Sequence, residues 1–169
     1  MKKNIIIAAV LFVICFRSAN AQEGVTATAS VARNFEKEFS GASNVQWTKK
    51  DHVFVATFKY EGGMWIGYFN ESGEKLASGR KIKSLDQLPL QVQKSLDLIK
   101  EGQERKFGTI ETSYAMEIVA DGSTKYYVPM ANASISLMVE ADNAGGATIR
   151  KSTKHAAAKL SKNLIAKKD

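Results

Sequence analysis

Histidine and cysteine are scarce in this chain of 169 residues: His52 and His155 are the only histidines, and Cys15 is the only cysteine. His52 lies in a polar turn, and His155 lies in a basic C-terminal segment; neither has a serine or aspartate at a spacing typical of a nucleophile relay. A zinc site of the usual kind would need both histidines together with carboxylates. We therefore predict structural or solvated histidines, with no catalytic and no metal-ligating residue.

An acidic loop near the C-terminus partly resembles a calcium-binding loop, because Glu140, Asp142 and Asn143 precede a pair of glycines. The D-x-[DN]-x-[DN]-G spacing followed by a glutamate is missing, so we predict a plain β-turn. No glycine-rich phosphate loop, G-x-S-x-G or H-E-x-x-H motif occurs. The sequence thus predicts a protein that is not an enzyme and has no cofactor. The alternative is a hydrolase with an unrecognised site that pairs His52 with a carboxylate.

The strongest candidate for a functional surface is the stretch FVATFKYEGGMWIGYF at 54–69. It holds six aromatic side chains of the fifteen in the chain. Alternation places apolar residues on both faces of this predicted hairpin. One face must pack beneath a helix, and the other is buried by the second half of the chain or presented outward. Tyrosine and tryptophan anchor interfaces because they combine a large contact area with a polar group. The predicted partner-binding residues are Tyr60, Trp65, Tyr68 and Tyr127, with Lys49, Lys50, Lys59 and Glu61 at the rim.

The first half of the chain reads as a helix followed by strands. Val31, Phe35 and Phe39 recur at i, i+4 and i+8, which indicates one face of a helix, and a preceding Thr or Ser can cap its start. Short β-prone runs separated by turns that contain glycine follow, which favours an antiparallel meander. These runs occupy 44–48, 53–60, 64–69 and 74–82.

The pattern restarts at Pro89, a residue suited to the first turn of a helix. Val92, Leu96 and Ile99 continue this second helix at i, i+4 and i+7, and Gly102 is predicted to end it. The β-prone runs that follow occupy 109–119, 124–130, 134–141 and 147–152. Alternation in these runs is typical of a sheet with one buried and one wetter face.

Together the two patterns predict an α+β fold, a tandem repeat of one helix plus a roughly four-stranded antiparallel sheet. The two repeats would span about 28–83 and 86–152 within a domain at 22–152. A helix can cover only one face of each sheet. The other face is therefore left to water, to the other half of the chain, or to a partner.

Residues 1–21 have the features of a cleaved export signal. A lysine pair precedes an apolar run at 5–16, and Ala19 and Ala21 stand at the −3 and −1 positions of a cleavage site. The run is shorter than the ~20 apolar residues that a spanning helix needs. We therefore predict a mature chain that starts at Gln22 and works in the periplasm or outside the cell.

The positive charge is concentrated at the C-terminus. The formal net charge is +7, and removing the three cations of the signal leaves about +4. From Arg150 onward there are seven basic residues against one acid, whereas the body before it is nearly neutral. This distribution argues against a nucleic-acid binder. The basic tail at 153–169 is either a solvated terminus or a segment in weak contact with an anionic envelope.

Several short motifs occur in one order along the chain: F-x-K-E-F (35–39), N-V-Q-W (44–47), A-T-F (56–58), G-Y-F-N-E-S-G-E (67–74) and L-P-L-Q-V (88–92). In this order the chain resembles the PepSY-like family of small exported bacterial proteins, which is also described as β-lactamase-inhibitor-like. The resemblance covers roughly 30–150 and implies an α+β tandem fold and an extracytoplasmic location, with no catalytic residue. The second half departs from it, since Pro129 interrupts a predicted strand and Ile110 replaces an expected tryptophan-like anchor.

These observations predict an exported, non-enzymatic binding protein. It would use the open face of its sheet to hold an extracytoplasmic protein or peptide, and the resemblance adds the idea of an inhibitor-like role. The alternative is a cell-envelope or small-ligand binding module that docks on anionic surfaces through its basic tail. The sequence leaves the partner's identity and the oligomeric state open.

Overall fold

The computed structural model describes residues 25–155, which contain two α-helices and nine β-strands. The predicted export signal and residues 156–169 of the basic tail lie outside the described residues. The helices are α1 (Ala29–Glu38) and α2 (Leu90–Phe107), and a short 3-10 helix spans Leu85–Gln87. The strands are β1 (Ser43–Lys50), β2 (Val53–Tyr60), β3 (Gly63–Asn70), β4 (Lys75–Ile82), β5 (Glu111–Thr112), β6 (Ala115–Ala120), β7 (Ser123–Ala131), β8 (Ile135–Asp142) and β9 (Ala147–Lys154).

The strands form one large antiparallel sheet. Its order is β1-β2-β3-β4-β6-β7-β8-β9, with β5 paired to β7. The predicted tandem repeat of one helix plus a roughly four-stranded antiparallel sheet is therefore wrong, because the nine strands and two helices build a single-sheet architecture. Two separate sheets would leave four edges of unpaired backbone groups, whereas one sheet leaves two. Apolar periodicity could not reveal this, since it reports the buried face of a strand and not its neighbour.

The chain divides into two compact units, with the boundary between Arg80 and Lys81. In the first unit, Thr28 caps the N-terminus of α1, because its side-chain oxygen accepts a hydrogen bond from the backbone N–H of Val31 at 3.4 Å. The apolar face of α1 packs on the hairpin of β2 and β3. Phe35 lies edge-on to the fully buried Phe58, with 4.8 Å between ring centroids. The predicted helical face is thus confirmed as a core face.

The turn between β3 and β4 is held against α1. Asn34 donates from Nδ2 to the carbonyl oxygen of Gly73 at 2.9 Å. Gly73 has a φ of +90°, and a Cβ there would lie 2.8 Å from the backbone oxygen of Ser30. Only glycine satisfies both the left-handed backbone and this close approach, so the hairpin and the helix are fixed to each other.

In the second unit, α2 begins after Pro89 and is longer than predicted. It passes through Gly102 and reaches Phe107, so the predicted end at Gly102 is wrong. A glycine inside a helix costs only about 1 kcal/mol, and Phe107 packs against the core of this unit. The helix ends instead at Gly108, whose φ of +78° lies in the left-handed region that favours glycine.

Pro129 lies inside β7 without ending it. On one side of β7, Met130 pairs with Thr112 of β5, and Tyr127 pairs with Met116 of β6. Within residues 25–155, the part of β7 between Tyr127 and Met130 has no strand partner on that side. Pro129 therefore lies opposite the break between β5 and β6, where a residue without a backbone N–H is best tolerated. On its other side it is paired in register with Met138 of β8.

Candidate functional site

The four predicted partner-binding residues fall in different environments. Tyr60 and Trp65 are half-buried on the side of the β2–β3 hairpin that carries α1, with their rings 5.6 Å apart. Tyr68 is only 3% exposed and lies on the opposite side of β3. Tyr127 is half-buried on β7, in the second unit. Of Trp65 and Tyr68, the tryptophan is therefore the one that reaches solvent.

Packing accounts for most of the aromatic crowding at 54–69. Phe58 is fully buried, and its ring centroid lies 4.7 Å from that of Phe39, the residue that caps the C-terminus of α1. Tyr60 lies edge-on to Phe39 at 5.6 Å, and Trp65 lies 6.3 Å from it. These rings form one continuous cluster in which tilted and edge-on contacts prevail, the geometry that the aromatic quadrupole favours. The cluster is a core whose margin is partly exposed.

Most of the predicted rim of this hairpin is a solvated, charged surface. Lys49 contacts Glu71 with 2.7 Å between Nζ and Oε1, and Lys50, Lys59 and Glu61 are exposed. Hydrogen bonds from Lys49 and then from His52 hold the pKa of Glu71 below its ordinary value. The His52 side chain is 87% exposed. The histidine and carboxylate pair therefore lies in an open turn and not in a concave pocket.

The second histidine contacts a serine at the surface. Nε2 of His155 lies 2.8 Å from Oγ of Ser136, and Ser134 accepts the backbone N–H of His155 through its carbonyl oxygen. Within residues 25–155 no carboxylate is hydrogen-bonded to this ring. The pair thus lacks the third, orienting group of a hydrolytic triad in the part of the chain that the structure describes.

The acidic loop before the glycine pair is a turn. Oδ1 of Asp142 accepts from the backbone N–H groups of Ala144 and Gly146, each at 2.9 Å. Glu140 points to other partners, described below. Among the described residues, no group of three or more His, Cys, Asp or Glu side chains could hold a metal ion.

A mixed apolar and charged surface lies on the side of the second unit that faces away from α2. Tyr126 and Val128 of β7 pack with α2 in the core, so the intervening Tyr127 lies on the other side. Strand pairing places Met116 and Glu140 on either side of Tyr127, and Met138 beside Pro129. We call this surface the Tyr127 patch. It consists of the half-buried Met116, Tyr127, Pro129, Met138 and Glu140 and the more exposed Lys125 and Arg150.

Glu140 joins the charged side chains of the Tyr127 patch. Arg150 donates to it through Nε at 2.9 Å and through Nη2 at 2.8 Å, and Lys125 donates through Nζ at 2.8 Å. Tyr127 is the strand partner of Glu140, so its ring lies beside this carboxylate. The carboxylate is only 11% exposed, whereas the Lys125 and Arg150 side chains are 43% and 56% exposed. The negative charge thus lies beneath two cations.

These contacts set the protonation states of the Tyr127 patch. The hydrogen bond from Arg150, followed by that from Lys125, lowers the pKa of Glu140 to about 2 despite partial burial. Burial, followed by the negative charge of Glu140, raises the pKa of Tyr127 to about 12. Near neutral pH the patch therefore holds a carboxylate, a neutral phenol and two cations.

A β-bulge directs Arg150 toward Glu140. The β8–β9 register shifts between Met138, paired with Lys151, and Val139, paired with Ile149, which leaves Arg150 as the extra residue. Bulges redirect side chains in this way. Sequence reasoning missed Lys125, considered Glu140 only as part of the acidic loop, and counted Arg150 only among the basic residues of the C-terminus. The hairpin register of 125–142 would have placed Lys125, Tyr127 and Glu140 on one face.

A second concave feature lies in the first unit, between α1 and the edge strand β1. This groove of about 480 Å³ is lined mainly by apolar side chains, among them Phe35, Phe39, Val45 and Trp47, and Glu36 is its one charged lining residue. Trp47 is half-buried, and its ring centroid lies 5.3 Å from that of Phe35. The groove is thus an open depression with both apolar and polar surface, beside the edge strand of the sheet that the structure describes.

Comparison with known proteins identifies the fold. A DUF2874 family protein from Bacteroides ovatus is 19% identical, with a TM-score of 0.63, over 78% of this chain and 89% of that chain. A BLIP-like protein from Bacteroides fragilis is 15% identical, with a TM-score of 0.62, over 79% of this chain and 92% of that chain. The chain has the BLIP-like, DUF2874 fold. The PepSY-like part of the resemblance stays a prediction.

A third similar structure is that of a candidate periplasmic protein from Bacteroides eggerthii. It is 14% identical, with a TM-score of 0.65, over 77% of this chain and 90% of that chain. Neither a protein-family profile nor a curated protein matches the sequence. Across residues 25–155, no helix has the length and apolar character needed to cross a membrane.

Proposed function

We propose that this protein is an exported, non-enzymatic binding protein that holds a protein or peptide partner, in an inhibitor-like manner, on the Tyr127 patch. The single observation that carries the proposal is the make-up of that patch: half-buried Tyr, Met and Pro side chains beside a hydrogen-bonded charge cluster. The BLIP-like fold and the fold shared with a candidate periplasmic protein support the same reading.

The chemistry of the patch suits an interface. Tyrosine, methionine and arginine are enriched at interface cores, whereas a solvated sheet face normally carries small polar residues. Tyr127 offers a large, partly desolvated ring of the kind that dominates binding energy. Met116 and Met138 flank it and can repack against a partner's surface, because methionine is flexible and polarizable.

The patch is also preorganised. Its side chains project from paired strands of the sheet and not from loops, and Glu140 fixes Lys125 and Arg150 by direct hydrogen bonds. A surface that is already ordered loses less conformational entropy when it binds. Of the four residues predicted from the sequence, Tyr127 is the one on which this proposal is centred.

Site-specific photocrosslinking in the producing cell tests the proposal. A photoreactive phenylalanine analogue at position 127 should form adducts with a partner, and the same analogue at Val119 should not. Val119 is 43% exposed on the neighbouring strand β6, and its side chain points to the other face, so it is a matched control. Adducts of equal yield at both positions, or none at 127, would refute the proposal.

The groove between α1 and β1 supports a second candidate, the binding of a small ligand against Phe35 and Trp47 in the first unit. Its volume of about 480 Å³ falls within the range of ligand sites, roughly 300–1,000 Å³. Titration with an environment-sensitive apolar dye should quench Trp47 fluorescence in a Trp65→Phe variant. An Ala32→Met substitution, which narrows the groove, should weaken that binding. An unchanged dye affinity in this variant would exclude the groove.

A further inference from the structure

Most of the acceptor capacity of the carboxylate in the Tyr127 patch is already used. Glu140 accepts two hydrogen bonds from Arg150 and one from Lys125. A carboxylate offers about four acceptor positions. A cationic group of a partner would therefore have to compete with these donors for Glu140.

The cations of the patch keep unused donors. Lysine has three N–H donors and arginine has five, and the hydrogen bonds described above use one of Lys125 and two of Arg150. Both side chains are far more exposed than Glu140, at 43% and 56% against 11%. On this face of β7, β8 and β9 the basic residues Lys125, Arg150 and Lys151 outnumber the acids Glu140 and Asp142. The patch thus presents spare donors and a surplus positive charge to solvent.

The neighbouring part of the chain adds charge of the same sign. Strand β9 contributes Lys151 besides Arg150, and Lys151 is paired with Met138 of the patch. Lys154 is paired with the core residue Ile135 and lies on the α2 side, with its Nζ 5.7 Å from the centroid of the Phe107 ring. Lys151 therefore adds positive charge on the side of the patch, which favours an approaching negative surface.

We propose that the partner presents an acidic segment of a protein, with a carboxylate that Lys125 and Arg150 bind beside Tyr127. This inference rests on the proposed function of the Tyr127 patch and specifies the chemistry of its partner. Apolar side chains next to that carboxylate would contact Met116, Pro129 and Met138. An Asp or Glu is the complement of the patch, since its oxygens accept the donors that Glu140 leaves unused.

Three amidated and acetylated peptides of equal length test the proposal: leucine alternating with glutamate, with lysine, and with serine. Calorimetry at low salt should detect binding of the Leu-Glu peptide, weaker binding of the Leu-Ser peptide and none of the Leu-Lys peptide. Vesicles of anionic phosphatidylglycerol and of neutral phosphatidylcholine are the lipid arms. Binding confined to the anionic vesicles would replace the acidic protein segment by a membrane surface and overturn the proposal.

Variants that replace the charged side chains of the Tyr127 patch by glutamine test which of them bind the Leu-Glu peptide. The triple substitution Lys125→Gln, Glu140→Gln and Arg150→Gln removes the charges without leaving one unpaired, and it should weaken Leu-Glu binding about fivefold. Lys59→Gln changes the net charge by the same single unit on an exposed strand position of the first unit, and it should have no effect. Glu140→Gln alone keeps both cations and should tighten the binding.

The outcomes separate this inference from the function on which it rests. If all three peptides bind equally and Tyr127→Ala abolishes the binding, the patch is an interface without preference for acids, and only the inference fails. Failure of the Leu-Glu peptide to bind also overturns the inference. If Tyr127→Ala leaves peptide binding unchanged and position 127 gives no crosslink, the proposed function fails as well.

Discussion

Replacing Glu140 by glutamine should destabilise the fold near neutral pH. The carboxylate is 11% exposed and its pKa is lowered from 4.5 to about 2. A pKa unit corresponds to ~1.4 kcal/mol, so the charged form contributes ~3 kcal/mol to the free energy of unfolding. The amide keeps the size of the side chain but loses the charge, which leaves Lys125 and Arg150 facing each other. We expect a loss of ~2–3 kcal/mol.

The pH dependence gives a sharper test than the magnitude. Because folding lowers the pKa of Glu140, its contribution is fully present above the unfolded value of 4.5 and is lost as the pH falls toward about 2. The stability gap between the native protein and the Glu140→Gln variant should therefore shrink by ~2 kcal/mol between about pH 7 and about pH 3. Urea denaturation followed by tryptophan fluorescence measures both proteins at each pH.

Glu111→Gln is the matched control for this experiment. Glu111 is exposed at the start of β5, so the same change from carboxylate to amide there should alter stability by less than ~0.5 kcal/mol. Two results would refute the reasoning: a difference in unfolding free energy between the native protein and Glu140→Gln below ~1 kcal/mol near neutral pH, or a difference that stays constant as the pH falls. Either result would mean that Arg150 and Lys125 do not stabilise the ionised Glu140.

Three further predictions concern other parts of the molecule. Spectrophotometric titration should show a tyrosine component with a pKa of about 12 that is absent in Tyr127→Phe, and Glu140→Gln should lower this pKa. Because folding raises the pKa of Tyr127 above 10, the free energy of unfolding should fall as the pH rises from 10 toward 12. In thermal melts, Gly145→Ala should destabilise the fold by ~2 kcal/mol more than Gly122→Ala. Both glycines have a positive φ, but only at Gly145 would a new Cβ clash, since it would lie 2.8 Å from Cβ of Gln91 on α2. Phe58→Ala should lower the free energy of unfolding, measured by urea denaturation, by ~3–5 kcal/mol, since the ring is fully buried. Phe58→Leu should lower it by less than half of that amount.

The sequence located most elements correctly because local patterns decide them. Val31, Phe35 and Phe39 lie on one helical face, and α1 packs that face on the sheet as predicted. The end of α2 was misplaced at Gly102, because a single glycine does not outweigh the packing of a later residue such as Phe107. Residues alone could not predict which of Trp65 and Tyr68 reaches solvent, since the two aromatic side chains lie on opposite faces of β3 and both faces are apolar.

The Tyr127 patch was only partly predictable. Alternation in the second half places Tyr127 on a wetter face, and this was available from the sequence. The contacts of Glu140 with Lys125 and Arg150 were not, because they depend on strand register and on a bulge in β9. A shift of one residue would move Arg150 to the other side of its strand.

By itself, the sequence determined the strands, the two helical faces, the turns that need glycine and the concentration of positive charge near the C-terminus. Each of these depends on neighbours within a few residues, so a linear pattern carries it. Tertiary structure alone decided that nine strands share one sheet, that Tyr68 is buried while Trp65 reaches solvent, and that Glu140 lies beneath two cations. These outcomes depend on hydrogen bonds and contacts between residues far apart in the chain, which periodicity does not record.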